Sequence, residues 1–232
     1  MSEDENLIPG FVNPLAFHEV EEPWASLEHQ EVTDEDLRRY LCQPGLDFAL
    51  DAIVGRYKEI SIEENDRIFV SPVGILQKLI WPLRYAKGSY ALGNFLGTIA
   101  LCGMVMEMTA LLIFEAFDAY HGIRAGRKTL DAKFQGYFRE DAFERLGQGE
   151  RVRLLLRLGL IDKDVKQRFD TVRNVRNRHL HLMSHPLRRV EKDAVNVFID
   201  TVRTVKYALG LDVKESRLAL RPEILAWLKT NP

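Results

Sequence analysis

From about residue 33 onward, apolar residues recur at three- and four-residue steps, the period of a helix with one buried face. Thr33 stands as an N-cap ahead of the acidic Asp34–Asp36 and predicts a helix to about Gln43, before Pro44-Gly45. A second helix is predicted over Asp47 to Ile60, with Phe48, Ile53 and Tyr57 among its apolar positions. Ser71-Pro72 opens a third that runs toward Ala86, with a kink at Pro82. The fourth is long, from about Ser89 to Tyr120, and its stripe includes Leu92, Phe95, Ile99, Met106, Ala110, Ile113 and Phe117. Gly93, Gly97 and Gly103 are expected to let a neighbouring helix approach, since a mid-helix glycine otherwise costs ~1 kcal/mol relative to alanine.

Gly122 to Gly149 reads as a polar connection with short helical pieces. Helices follow over Glu150 to Leu158, over Lys163 to Met183 capped by Asp162, over Arg189 to Leu209, and over Pro222 to Leu228. No alternating run is long enough to build a sheet, and only Arg67 to Val70 looks extended. The expected fold class is therefore all-α.

Residues 1–32 break the pattern. Pro9, Pro14 and Pro23 are scattered among aromatics without a period, so the segment reads as an extended acidic arm. Its apolar residues, from Leu7 and Ile8 to Phe17 and Trp24, are too many for a freely solvated tail. The organisation expected is an arm over 1–32, extra N-terminal helices over 33–70 and a helical bundle over 71–232.

Composition adds little until charge is placed along the chain. Over 232 residues the net charge is only −2. Residues 1–36, however, hold eleven Asp or Glu and no Lys or Arg, whereas residues 151–189 hold eleven Lys or Arg against three Asp, a surplus of +8. Binding follows the local field, so the near-neutral overall charge does not exclude a polyanionic partner. Cys42 and Cys102 lie far apart and offer neither a disulfide framework nor a metal-ligand spacing, which suits a reducing cytoplasm. Gly88 to Met106 lacks any charge, nearly the length of a membrane span. It also carries four glycines, Ser89, Asn94 and Thr98, and reads better as the centre of a bundle, with no membrane involved.

The segment with most chemistry is Asp170 to His185, DTVRNVRNRHLHLMSH. On the helix that carries it, Val165, Phe169, Val172 and Val175 form the core face, while Arg173, Asn177 and His181 share another. Three arginines, two asparagines and two histidines fall within residues 173–181, a density that packing does not call for. Arginine binds two phosphate oxygens with a planar fork and stays charged. Histidine, with an ordinary pKa of ~6.5, moves protons near neutral pH. Such a set can bind phosphate and move a proton with no metal or cofactor required, and no convincing carboxylate cluster exists to hold a metal. Two plainer readings belong beside this one. A basic helix end complements the helix dipole, and His181 with His185 lies a turn apart but has no cysteine or acidic residue nearby to complete a zinc site.

The run Arg176-Asn177-Arg178-His179-Leu180-His181 resembles the signature of the HEPN superfamily, the higher eukaryotes and prokaryotes nucleotide-binding domain. That signature is an arginine followed by Asn, Asp or His, then a histidine four to six residues later. The approach "GLID…FDTVRNVRN", the earlier helix bearing Glu107 and the long helix after the motif are also similar, so the resemblance covers roughly residues 72–210. Arg173 with His179 meets the same loose spacing, and the register stays open between the two pairs. The resemblance implies a HEPN-like bundle that forms a homodimer with its two motifs facing across a cleft. It implies a metal-independent endoribonuclease of the toxin–antitoxin or phage-defence kind, held in check by a neutralising protein partner. Arg176, Asn177 and His181 are then the catalytic candidates, with Arg173 and His179 behind them. A non-catalytic module that binds RNA, a nucleotide or a protein is the alternative it also allows. Glu107 is read as a helix glutamate paired with an arginine rather than as a catalytic group.

Overall fold

The computed structural model describes residues 7–8, 50–61, 75–124, 126, 131–139, 142–180, 189–210, 212–214 and 217–230. The helix expected after Thr33, the extended run Arg67–Val70, the Ser71-Pro72 start and most of the acidic arm lie outside these residues.

α1, Leu50–Ile60, buries Ile53 and Ile60. Two side-chain bonds tie it to the next helix: Arg56 Nε donates to the Ala91 carbonyl at 2.8 Å and Tyr90 Oη to Glu59 Oε2 at 2.6 Å. α2, Trp81–Ala91, is entered through a π-helical turn, Leu76–Ile80. Pro82 has no N–H to give and its ring crowds the carbonyl four residues back, so the backbone widens just ahead of it. The expected kink takes that form.

The single long helix expected from Ser89 is two helices meeting at a corner. Ser89 belongs to α2, and α3 runs from Phe95 to His121. Gly93 turns the chain with φ +81°, and Asn94 caps α3 by accepting the Gly97 N–H at 2.9 Å. A glycine at positive φ followed by a capping asparagine outweighs an apolar stripe that continues through both.

α3 is the hub of the fold. It packs against α2, against α5 (Gln148–Arg157), α6 (Lys163–Leu180) and α7 (Val190–Leu209), and against α8 (Pro222–Thr230). By length and composition it could cross a membrane. Here 56% of its apolar stretch is buried inside the fold, and Ile99, Cys102, Val105, Met106, Ala110 and Phe114 are all fully buried. A short α4, Ala132–Gln135, continues into a 3-10 turn over Gly136–Phe138.

The 122–149 connection is less polar in space than in sequence. Its Phe138 and Phe143 stack on Phe114 with ring centroids 4.5 and 3.9 Å away, within the spacing favoured by offset rings or closer. Single aromatics without a period gave no sign of this role.

Among the described residues the architecture is all-α apart from a minimal sheet that the sequence did not reveal. β1 (Leu7–Ile8), β2 (Asp212–Lys214) and β3 (Arg217–Ala219) pair antiparallel in the order β1-β3-β2. Leu7 stands opposite Ala219, and Asp212 also opposite Ala219 from the other side. Strands of two or three residues are too short to show alternation. β1 thus pairs Leu7–Ile8 with the segment shortly before α8.

Candidate functional site

α6 starts where its cap requires. Asp162 Oδ1 accepts the Val165 N–H at 2.8 Å, and Val165, Phe169, Val172 and Val175 then point into the core as their spacing demands. That orientation distributes the motif over the remaining faces, where its basic side chains meet several different neighbours.

Arg176 crosses to α3. Its aliphatic stem lies against Gly103, and its guanidinium forms an ion pair with Glu107, one turn further along the same helix. The side chain of Arg176 remains 28% exposed and that of Glu107 36%. Among the described residues only one nitrogen of the fork, Nη1, is engaged by Glu107. Arg173 crosses instead to α5, where its guanidinium occupies the space over Gly149, and it pairs with Asp170 at 3.0 Å. Asp170 also holds Lys166. Asn177 is exposed beside Arg176.

His179 does something different. Its side chain is 1% exposed, and Nε2 stands 2.8 Å from Asp193 Oδ2 at the start of α7. A carboxylate accepts, so Nε2 carries the proton and Nδ1 is left as a buried nitrogen without a partner among the described residues. Arg178 Nη1 approaches the same carboxylate oxygen at 3.6 Å. Asp193 therefore gathers the end of α6 onto the start of α7, and His179 sits inside that joint, away from any ligand in solvent. Among the described residues, the exposed large apolar side chains include Leu180, one turn after Arg176, and Met104, next to Gly103 in the chain.

The structure thus brings Arg176, Glu107 and Gly103 together, keeps Asn177 at the surface beside them, and places Arg173 on the α5 side. His181 belongs to residues 181–188, outside the described set. Of the two registers open in the sequence, Arg173 with His179 loses its histidine to the core. Asp193 and Gly149 were missed by sequence reasoning, because neither stands near the motif in the chain. Gly103 was noticed and given another role: it makes room for an arginine stem, while Gly93 forms a turn and the space at Gly97 is filled by the Asn94 cap.

No group of three or more His, Cys, Asp or Glu side chains stands together among the described residues. Cys102 is wholly buried beside Thr201, and burial pushes its thiol up to about 12, which leaves it an inert core side chain. Compared with known proteins, the chain matches no family model, no curated protein and no solved structure.

Proposed function

We propose that this chain is a HEPN-like, homodimeric, metal-independent endoribonuclease of the cytoplasm, with Arg176, Asn177 and His181 as its catalytic set. The observation that carries this reading is the seating of Arg176. A surface arginine ordinarily drifts; this one is laid over a glycine and aimed by a glutamate, both on the central helix, with its side chain 28% exposed. Such preorganisation is what a charge-stabilising group in a site needs, because it avoids reorganisation when charge develops.

The chemistry follows from RNA itself. The 2′-oxygen attacks the adjacent phosphorus as its proton leaves, the bond from phosphorus to the 5′-oxygen breaks, and that oxygen takes up a proton. The products are a 2′,3′-cyclic phosphate and a 5′-hydroxyl. His181 moves the protons, Arg176 stabilises the crowded anionic phosphorus, and Asn177 orients either group through its amide.

One chain offers a single copy of each residue, and a two-fold contact places two copies around one phosphate. Met104, next to Gly103 in the chain, and Leu180, one turn after Arg176, are exposed and offer apolar surface for that contact. Toxin-like or phage-defence service under a neutralising partner fits such an activity. Chelator-resistant RNA cleavage that is lost with His181, measured on a sample sized by light scattering, tests the reading. Binding without cleavage would leave the non-catalytic module in its place.

A further inference from the structure

α5 carries arginines of two kinds. Arg151 is engaged internally: its Nε donates to the Phe143 carbonyl at 3.2 Å, and its Nη2 donates to the Glu144 carbonyl. It fastens the preceding loop and thereby sets the helix's orientation. Arg173, Arg176 and Arg178 on α6 are likewise matched, to Asp170, Glu107 and Asp193. Arg153 and Arg157 are not. Both are exposed, they lie one turn apart on the same face, and neither has an ion pair or hydrogen bond among the described residues.

These two arginines line one depression of about 230 Å³ together with Tyr137, Leu146, Glu150 and Leu154. The lining divides by chemistry. Tyr137 and the two leucines give an aromatic and apolar wall, and the two guanidinium forks give a rim suited to phosphate oxygens. The one acid, Glu150, is turned to the backbone, where its Oε2 accepts the Gly147 N–H at 3.2 Å. The volume lies below the range of roughly 300–1,000 Å³ typical of drug-sized ligands and suits a single base. Its position connects it to the motif. Arg173, one turn from Arg176, has its guanidinium over Gly149 in the first turn of α5, and Arg153 and Arg157 follow at successive turns of about 5.4 Å.

We propose that this depression is a nucleotide subsite for single-stranded RNA, in which a base stacks on Tyr137 and the adjoining phosphates are held by Arg153 and Arg157. The inference rests on the endoribonuclease reading for its substrate class. It adds a binding element on a separate helix that sets where along the strand the scissile phosphate falls.

The test is fluorescence anisotropy with a labelled single-stranded RNA whose 2′-oxygens are methylated, so that binding is read without cleavage. Arg153→Ala/Arg157→Ala should weaken binding at least tenfold at moderate salt. It should also flatten the slope of log affinity against log salt by about 1.4, the loss of two phosphate contacts. Tyr137→Ala should weaken binding about fivefold with the slope unchanged. Lys58→Ala/Lys78→Ala removes the same charge elsewhere and should do little. Equal losses in the arginine and lysine pairs, or an unchanged affinity in the arginine pair, would overturn the subsite. The two readings fail separately. Wild-type binding with this dependence, but no cleavage of unmodified RNA, keeps the subsite and removes the enzyme. Cleavage with KM unchanged in Arg153→Ala/Arg157→Ala removes the subsite and keeps the enzyme.

Discussion

The stem of Arg176 occupies the space over Gly103 in which any other residue would carry its Cβ. An arginine on α6 and a glycine on α3 are thus a fitted pair. The fit explains why an apolar helix at the centre of the bundle tolerates a buried glycine at this position.

Gly103→Ala should therefore destabilise the protein although alanine is the better helix former. A Cβ there collides with the Arg176 stem, and overpacking of this kind costs about 1–3 kcal/mol. Gly55 on α1 makes the contrast, because a methyl added there meets nothing within 4 Å, so Gly55→Ala should stabilise by about 0.5–1 kcal/mol. In Gly103→Ala/Arg176→Ala the collision is gone and most of the loss should return. Thermal melts of the four proteins check this; a Gly103→Ala melting temperature at or above wild type would contradict it.

How much of this was legible beforehand differs from element to element. α6 was readable to its cap, because Asp162 and the valine–phenylalanine spacing are local signals. The corner at Gly93 was hidden by an apolar stripe that runs on through it, and the strands β1 to β3 were too short to carry a period. At the site, the motif could be seen but not what it touches. Glu107 is 69 residues from Arg176, and no period links Gly149 to Arg173 or Asp193 to His179. Long-range partners of polar side chains leave no local trace.

The His179–Asp193 bond should behave as a structural joint. Removal of the embedded ring leaves a cavity and an acid with lost hydrogen bonding, so His179→Ala should cost about 2–4 kcal/mol. Coupling in the His179→Ala/Asp193→Ala cycle should reach about 1–3 kcal/mol. Asn177→Ala, at the exposed surface four residues from Arg173, should shift stability by no more than about 0.5 kcal/mol. Urea denaturation of the set is the measurement, and zero coupling would show that the two side chains do not hold α6 to α7.

Lys87 supplies a pH dependence with a definite sign. It is buried on α2 with Nζ 4.2 Å from the Tyr57 ring centroid, and burial lowers its pKa to about 7. Above that value the folded lysine is neutral while the unfolded chain still binds the proton, so the unfolded state holds more protons. Stability should then rise with pH from about 7 toward the ordinary lysine value, by about 1–2 kcal/mol up to pH ~9 once the ring contact offsets part of the burial cost. Below pH ~7 both states are protonated and this contribution is flat. Lys87→Met should be the more stable protein near neutral pH and should lose the slope. Equal slopes in wild type and Lys87→Met would exclude this origin.

RNA cleavage by the purified chain in excess EDTA, with the ends of the products identified, bears most directly on the proposed activity. Wild type should cut single-stranded RNA and leave 2′,3′-cyclic phosphate and 5′-hydroxyl ends. Arg176→Ala and His181→Ala should each reduce the rate by at least about a hundredfold, the scale of a lost proton-transfer or charge-stabilising group, with helical content unchanged. Undiminished cleavage by His181→Ala, an absolute need for magnesium, or products ending in a 5′-phosphate would contradict the mechanism.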